Sequence, residues 1–476
     1  MNAGTANPET AQQASFVKWA LASLSLSMLL SSLGTSIANV GLPTLTRVFD
    51  ASFQQVQWVV LAYLLAITTL IVSVGRLGDL IGRRRLLLSG IGLFTLASVL
   101  CGLAPSLELL IGARALQGLG AAIMMALTMA FVGETVSKEK TGRAMGLLGT
   151  MSAIGTALGP SMGGLLIGQF GWRAMFLITV PLGLLTLLLA LRHLPADQRN
   201  SNASRALFDP LGTLFLVLTL SAYALAMTLG HGQFGPLNIT LLLATCLGGG
   251  LFVWIEKRVA APLIRPAMFR DPQLSGSLAM SLLVTTVMMA TLVVGPFYLA
   301  QGLGLNAVEV GLVMSVGPLV AALTGVPAGR MTDRFGAQTM TFSGLIAIAL
   351  GCFLLSVLPS RYGLGGYMVP IVVITLGYAV FQTANNTAVM AEVQADRRGV
   401  VSGLLNLSRN LGLITGASVL GAVFGITSAS ADISTAQPEA IASGMRMTFT
   451  VALALMGVAC LIALGGRALV TKQEQG

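Results

Sequence analysis

Runs of about twenty apolar residues follow one another along nearly the whole chain, with only short polar segments between them. Each run is long enough to cross ~30 Å of hydrocarbon as an α-helix. The first begins near Val17 and is predicted to stop at Pro43, because proline lacks a backbone donor, and the last ends near Val470. The polar segments are too short to hold a soluble domain. The pattern predicts an all-α integral membrane protein.

One polar segment is rich in glycine and strongly cationic, and it recurs in weaker form later in the chain. Gly, Arg, Asp and Gly occupy the same relative places in both copies, which indicates an internal duplication. The glycines let two helix ends approach closely, and the Asp is predicted to cap a helix N-terminus. The copies are Gly75-Arg76-Leu77-Gly78-Asp79-Leu80-Ile81-Gly82-Arg83-Arg84-Arg85 and Gly329-Arg330-Met331-Thr332-Asp333-Arg334-Phe335-Gly336.

The distance between the copies indicates how many spans the chain has. Gly75 and Gly329 lie 254 residues apart, whereas six spans with short loops need only about 190 to 200 residues. Two further apolar runs account for the surplus, so fourteen transmembrane helices are predicted in groups of six, two and six. The predicted divisions are a disordered cytoplasmic N-terminus (1–15), a six-helix bundle (16–194), two central helices with cytoplasmic flanking loops (195–265), a second six-helix bundle (266–470) and a cytoplasmic tail (471–476).

Charge is sparse and lies mainly on one side of the predicted membrane. Only 9% of the residues are charged, against roughly a quarter in soluble domains. Most of the 27 Lys and Arg residues fall in alternate loops, which the positive-inside rule places in the cytoplasm. The high pI therefore follows from topology and does not indicate a nucleic-acid partner. The sequence shows no nucleotide-binding glycine loop, catalytic triad or metal-ligand spacing, so it does not predict an enzyme.

Two cations, Arg114 and Arg409, fall inside apolar runs. A cation in hydrocarbon costs several kcal/mol unless it faces a cavity or partners, so both are predicted to lie at a central cavity. The alternative for Arg114 is neutralisation by neighbouring carbonyls in a packing role. Other polar positions are predicted to line the cavity, although hydrogen bonding between helices explains them equally well; these are Asn39, Gln117, Gln382, Asn385 and Asn386.

The cationic loop and its copy resemble the loop between helices 2 and 3 of the major facilitator superfamily of membrane transporters, and its counterpart in the second half. The fourteen-helix layout narrows the resemblance to the drug:proton antiporter branch. It implies the major facilitator fold, with two pseudo-symmetric six-helix bundles rocking about a site near the midplane. It also implies that Asp79, Arg83 and Glu134 form a cytoplasmic gating cluster, for which ordinary interfacial salt bridges are the alternative.

Two further motifs belong to the same resemblance. Arg114 with Gln117 matches the family's helix-4 motif, whose Arg is linked to proton coupling. A glycine run in the fifth span resembles the antiporter motif, and its four-residue spacing places the glycines on one helix face for close approach. Plain helix packing is the alternative. This motif comprises Gly155, Gly159, Pro160, Gly163 and Gly164.

The first span departs from the branch. The resemblance leads one to expect an acid where this chain has Gly34, and all 17 acids fall in loops or at helix ends. Glu134, Glu256 and Glu392 come nearest to the membrane. Either such an acid carries the proton, or the substrate carries it, or coupling differs from the branch norm. A cavity with arginine and no acid should favour neutral or anionic amphiphiles.

The sequence thus predicts a secondary active transporter of the cell inner membrane that exports small amphiphilic compounds, as multidrug efflux pumps do, with both termini cytoplasmic. A proton gradient is the expected energy source, and no cofactor or metal is expected. The expected partners are the substrate, the lipid bilayer and, by analogy with relatives in double-membraned bacteria, a periplasmic adaptor and outer-membrane channel. The alternatives are a dedicated exporter or facilitator of one neutral or anionic metabolite and, more remotely, a non-transporting membrane sensor.

Overall fold

The computed structural model describes residues 8–135, 141–195, 210–228, 235–259, 266–357, 362–392, 398–428 and 437–474. Within these ranges the chain is helical throughout, with short connections. The helices are α1 (Pro8–Phe49), α2 (Phe53–Ile81), α3 (Arg83–Leu103), α4 (Leu107–Thr135), α5 (Thr141–Phe170), α6 (Ala174–Leu177), α7 (Thr179–His193), α8 (Pro210–Thr228), α9 (Pro236–Glu256), α10 (Pro272–Phe297), α11 (Ala307–Phe335), α12 (Ala337–Val357), α13 (Gly363–Glu392), α14 (Arg398–Thr415), α15 (Gly421–Thr427) and α16 (Pro438–Glu474).

Thirteen helical stretches in the described residues are long and apolar enough to cross a membrane. The helices α6 and α7 form one such stretch, and α14, a π-helical segment at Gly416–Leu420 and α15 form another. The remaining predicted span corresponds to α8, whose shorter apolar stretch is Leu211–Tyr223. The predicted all-α fold class, with helices in groups of six, two and six, is confirmed.

The two copies of the cationic loop form the same turn in the two halves of the chain. Gly82 separates α2 from α3 with φ 105°, and Gly336 separates α11 from α12 with φ 84°. Each glycine donates its N–H to the carbonyl four residues earlier, Gly78 or Thr332, at 2.9 Å. Only glycine adopts such positive φ values readily, so both turns need this residue type. The duplication read from the sequence is visible as a repeated backbone geometry.

Some local predictions about helix ends were wrong. The helix α1 continues through Pro43 to Phe49, and it begins at Pro8, within the segment predicted to be disordered. Asp79 lies in the last turn of α2 and the N-cap position of α3 is Gly82, so Asp79 is not the N-cap residue of that helix. An aliphatic membrane helix can keep a proline because neighbouring groups satisfy the freed carbonyl.

Three apolar clusters divide the molecule along its helix axes. We call the end that carries the Gly82 and Gly336 turns the basic end and the other the opposite end. At the opposite end a single cluster joins both halves of the chain. At the basic end the first half has its own cluster, built from α1 to α5 and α7, and the second half has another, built with the two central helices. The halves therefore pack together at the opposite end and have separate cores at the basic end.

The two central helices are attached to the boundary between the halves. They pack chiefly against each other, and α8 also packs on α2 and on the α14 region. The Tyr223 hydroxyl of α8 hydrogen bonds with the Thr415 hydroxyl of α14. Leu216 and Leu220 of α8 belong to the basic-end core of the second half. The helix α8 therefore contacts both halves.

Candidate functional site

Arg114 is completely buried, and it bonds to two other helices and to Gln117 of its own helix. From α4, its Nε donates to the Val59 carbonyl of α2 at 2.8 Å, and its second terminal nitrogen donates to the Gly34 carbonyl of α1 at 3.1 Å. The first terminal nitrogen donates to Gln117 Oε1 at 2.5 Å. The guanidinium also lies 4.1 Å from the centre of the Tyr63 ring. Among the described residues its partners are carbonyls, an amide and aromatic rings, with no carboxylate.

This arrangement satisfies the buried charge with protein groups alone. Hydrogen bonds to charged groups stabilise by roughly 1.5–3 kcal/mol each, and a desolvated cation–π contact adds about 2 kcal/mol. Gln117 continues the network by donating from Nε2 to the Ser98 hydroxyl of α3 at 2.8 Å. Arg114 and Gln117 thus connect α1, α2, α3 and α4. The geometry fits the packing role in the observed conformation, and the role in proton coupling stays a prediction.

Gly34 occupies a position with no room for the acid that the antiporter branch leads one to expect. A Cβ atom there would lie 2.8 Å from the Tyr63 hydroxyl and 3.3 Å from the Phe94 ring. The Gly34 carbonyl is engaged by Arg114. In this chain a backbone carbonyl, and not a carboxylate, therefore accepts a hydrogen bond from the buried guanidinium at this position.

The other polar cavity candidates are only partly satisfied. Asn39 is 1% exposed; its Nδ2 donates to the Thr35 carbonyl at 3.3 Å, and its Oδ1 has no hydrogen-bond partner. Asn385 is 2% exposed, and its Nδ2 donates weakly to the Ser277 carbonyl of α10 at 3.4 Å. Its Oδ1 and Gln382 Oε1 also have no hydrogen-bond partner in the described part of the chain, while Asn386 is half-buried. A buried acceptor without a partner carries a desolvation cost, which makes these atoms candidates to bind a donor.

Arg409 differs from Arg114 in burial, in hydrogen bonding and in its depth along the helices. Its side chain is exposed, and no hydrogen bond from it to another described residue is found. It lies about 16 Å along the helix from the start of α14 at the basic end, whereas Arg114 lies about 10 Å from the start of α4 at the opposite end. The two arginines are therefore in different environments and at different depths, and they do not form one site.

The glycine motif of α5 faces two different partners. Cβ atoms at Gly155, Gly159 and Gly163 would overlap atoms of α1, in the same bundle. A Cβ at Gly164 would instead lie 2.9 Å from the Gly311 Cα of α11, in the other bundle. Gly155, Gly159 and Gly163 therefore pack α5 onto α1, whereas Gly164 and the Pro160 carbonyl contact the other bundle. Pro160 lies within the continuous helix, and its carbonyl approaches Gly311.

The gating-loop residues lie around the two glycine turns at the basic end. Arg84 donates to the Leu191 carbonyl at 2.6 Å and so links α3 to the end of α7. Arg83 follows Gly82 as the first residue of α3. In the second copy, Arg330 and Asp333 are exposed in the last turns of α11, near Gly329 and Gly336. The structure does not describe the surroundings of Gly75 or the side chains of Arg76, Asp79 and Glu134. The Asp79–Arg83–Glu134 cluster therefore stays a prediction.

Sequence reasoning missed the groups that close the opposite end. Phe53 of α2 packs edge to face on Phe297 of α10 and Phe424 of α15, with ring centres 4.7 and 5.6 Å apart. Nearby, Gln57 Nε2 of α2 donates to the Ala417 carbonyl at 3.2 Å. All four side chains are 5% exposed or less. The sequence carries little sign of these contacts. Phe53 is the first residue of an ordinary helix, and no motif marks the π-helical segment that contains Ala417.

The family model described as Major Facilitator Superfamily matches residues 24–417. The chain belongs to the major facilitator superfamily. It is 34% identical over 391 residues to the multidrug resistance protein Stp of Mycobacterium tuberculosis, covering 81% of this chain and 72% of Stp. It is 30% identical to the multidrug efflux pump LfrA of Mycolicibacterium smegmatis (85% and 80% covered) and 30% identical to the riboflavin transporter RibZ of Clostridioides difficile (86% and 88% covered).

Solved structures give the same fold. A bacterial homologue of the human lysosomal transporter Spinster, in an inward-facing and unoccupied conformation, matches with a TM-score of 0.72, 15% identity and coverage of 96% of this chain and 98% of that one. The nucleoside transporter NupG matches with a TM-score of 0.64 and 14% identity, covering 94% and 99%. The predicted family is therefore confirmed, and this multi-pass membrane protein of the major facilitator superfamily is a transporter by family.

Proposed function

We propose that this protein exports small amphiphilic compounds by alternating access, driven by a proton gradient. The observation that carries the proposal is the asymmetry of the two ends. At the opposite end Phe53, Gln57 and Gly164 contact the other bundle, whereas at the basic end each half has its own apolar core. A transporter that rocks two bundles about a central site needs one closed and one separated end.

The charge distribution supports an orientation for this asymmetry. The turns at Gly82 and Gly336 are flanked by arginines, and the positive-inside rule places such loops in the cytoplasm. The helix α1 starts and α16 ends at this same end, so both termini are proposed to be cytoplasmic. The conformation is then open towards the cytoplasm, in the cell inner (plasma) membrane. In that state an exporter takes up its substrate.

The relatives support export of more than one kind of compound. Two of them are named as a multidrug resistance protein and a multidrug efflux pump, which favours a broad substrate range. RibZ is named as a riboflavin transporter, which favours the second candidate, a dedicated transporter of one metabolite. Selectivity across a chemically varied panel would distinguish the two.

The proton is proposed to be carried by a helix-end carboxylate, and Glu256 is the first to test. It is 2% exposed at the end of α9. The other carboxylates whose side chains the structure describes are exposed; these are Asp50, Glu108, Asp271, Glu309, Asp333 and Glu439. A group that alternates between protonation states must change its exposure to water, and a buried carboxylate meets that requirement best.

Other parts of the proposal rest on the sequence and the family. We propose that transport needs no bound cofactor, that the protein is not an enzyme and that nucleic acid is not a partner. In a double-membraned bacterium a periplasmic adaptor and an outer-membrane channel are proposed to assist it. Pull-down of the full-length protein from cross-linked cells tests this assembly.

The test of export uses inside-out membrane vesicles that hold a proton gradient reported by a quenched dye. A transported compound should dissipate part of the gradient in wild-type vesicles and none in vesicles without the protein. Glu256→Gln should move labelled compound without dissipating the gradient, whereas Glu108→Gln, an exposed acid, is the matched control. If no compound in a broad panel moves in wild-type vesicles, the proposed function is wrong. Unchanged coupling in Glu256→Gln would remove that residue from the proton route.

A further inference from the structure

Arg409 is exposed within the membrane-spanning stretch that α14 begins. Arg409, Leu413 and Ala417 follow at four-residue spacing, so they lie near one face of their helix. At the opposite end the same membrane span contacts the other bundle, because the Ala417 carbonyl accepts a hydrogen bond from Gln57 of α2. Leu413 is half-buried against the shared core, and Arg409 is exposed. This span is therefore in contact with the other bundle at the opposite end and carries an exposed arginine nearer the basic end.

One face of α14 is covered by neighbouring helices. Ser408 Oγ donates to the Leu278 carbonyl of α10 at 2.5 Å, and a Cβ at Gly412 would overlap Thr285 of the same helix. Thr415 hydrogen bonds with Tyr223 of α8. Ser408, Gly412 and Thr415 share one face of α14, which α10 and α8 cover, and Arg409 lies outside that face. An arginine exposed to hydrocarbon would cost several kcal/mol, which also favours a water-filled cavity.

The unpartnered amide acceptors lie at the same depth as Arg409. Asn385 of α13 donates to the Ser277 carbonyl, and Ser408 of α14 donates to the next carbonyl, that of Leu278. The helix α10 thus aligns these two residues in depth, and Arg409 directly follows Ser408. Asn385 is 2% exposed and its Oδ1 lacks a hydrogen-bond partner, as does Gln382 Oε1 one turn away. Among the described residues, one level of the second bundle therefore carries a cation and two amide acceptors without hydrogen-bond partners.

We propose that this level binds the anionic head of an amphiphilic substrate, a carboxylate or sulfonate that also carries a hydroxyl or N–H donor. The guanidinium of Arg409 supplies charge-assisted donors to the anion, and the amide acceptors of Asn385 and Gln382 receive the donor. A cationic head is disfavoured, because the described part of the chain has no carboxylate paired with this arginine. The inference rests on the proposed transport function and specifies its substrate class.

Binding to the purified full-length protein in nanodiscs tests the substrate class independently of transport. The probes are hydroxynaphthoate, the uncharged naphthalenemethanol and the cationic naphthylmethylammonium. Wild type should bind hydroxynaphthoate more tightly than the other two. Arg409→Gln should weaken hydroxynaphthoate binding by at least about tenfold, since a charge-assisted hydrogen bond is lost, and should leave naphthalenemethanol binding unchanged. Arg409→Lys should keep part of the anion preference.

Arg446→Gln is the matched control, because it removes the same charge from an exposed position near the opposite end of α16. It should leave the preference of the protein for the anion unchanged. Preferred binding of the cation by wild type, absence of hydroxynaphthoate binding, or equal loss in Arg409→Gln and Arg446→Gln would overturn the proposal. These outcomes are distinguishable from failure of transport, since vesicles can show export of other compounds whichever probe binds.

Discussion

Gln57 of the first bundle donates a hydrogen bond of 3.2 Å to the backbone carbonyl of Ala417 in the second bundle. Ala417 lies in the π-helical segment Gly416–Leu420, where the wider backbone turn leaves a carbonyl available to a side chain. Gly421 makes room for this contact, because a Cβ there would overlap Gln57 Nε2. The bond holds the two bundles together only while the opposite end is closed, so it should bias the protein towards the observed conformation.

Gln57→Leu should shift the population towards opening of the opposite end. The lost hydrogen bond is worth about 0.5–1.5 kcal/mol, which corresponds to a roughly two- to tenfold change in the conformational equilibrium. Gly421→Ala should act in the same direction by displacing the Gln57 side chain. The measurement is the distance between spin labels at Asp50 and Glu439, both exposed at the opposite end in different bundles, in a background that lacks the exposed Cys246.

The control for Gln57→Leu is Gln169→Leu, which makes the same chemical change on an exposed face of α5 near the same end. It should leave the label distances as in wild type. Equal distance distributions in Gln57→Leu and wild type would show that the aromatic contacts of Phe53 close this end without the amide.

Arg114→Ala should destabilise the protein as well as impair transport. The substitution removes donors from the Gly34 and Val59 carbonyls and from Gln117, and each buried acceptor left alone costs about 1–3 kcal/mol. Arg114→Lys should recover little, because an ammonium cannot reproduce the planar set of donors. The midpoint of thermal unfolding of the purified protein checks this.

The exposed Arg409 provides the comparison for that stability measurement. Arg409→Ala should leave the unfolding midpoint nearly unchanged, because no hydrogen bond within the described residues is lost. If Arg114→Ala unfolds at the wild-type temperature yet transports nothing, the packing role is insufficient and the proton-coupling role gains direct support.

Gly34→Ala should be unfavourable although the change is small. The new methyl group would lie 2.8 Å from the Tyr63 hydroxyl, and overpacking of this kind costs about 1–3 kcal/mol. Removing the hydroxyl with Tyr63→Phe should recover part of the loss in the double variant, although Tyr63→Phe alone loses the bond to the Ser31 carbonyl. A double-mutant cycle on thermal stability measures the coupling. Additive effects would mean that α1 shifts to accommodate the methyl group.

The sequence carried the family, the duplication and the glycine motifs because these depend on local residue types at fixed spacing. The turns at Gly82 and Gly336 could be predicted from the sequence, since a positive φ at a one-residue turn nearly requires glycine. The burial of Arg114 and the exposure of Arg409 were not predictable. Both are arginines inside apolar runs, and the difference depends on which helix faces them, a property of three-dimensional packing.

Helix ends and the contacts between bundles likewise could not be predicted from the sequence. Pro43 is a stop signal in water, yet α1 runs past it. The division of labour within the α5 motif was also hidden, because spacing alone does not tell which glycine meets α1 and which meets α11.

Gly164→Ala should act on the closure between the bundles, and Gly155→Ala on the packing within one bundle. The Cβ at Gly164 would lie 2.9 Å from the Gly311 Cα, and backbone at that distance cannot yield as a side chain can. Gly164→Ala should therefore lengthen the Asp50–Glu439 label distance and slow transport, with little effect on unfolding. Gly155→Ala meets the Leu29 carbonyl of α1 and should lower the unfolding midpoint instead. Gly92→Ala, with open space around its Cβ, is the control for both measurements. If Gly164→Ala and Gly155→Ala change stability and label distance alike, the motif acts as a single packing surface and the assignment of Gly164 to closure is wrong.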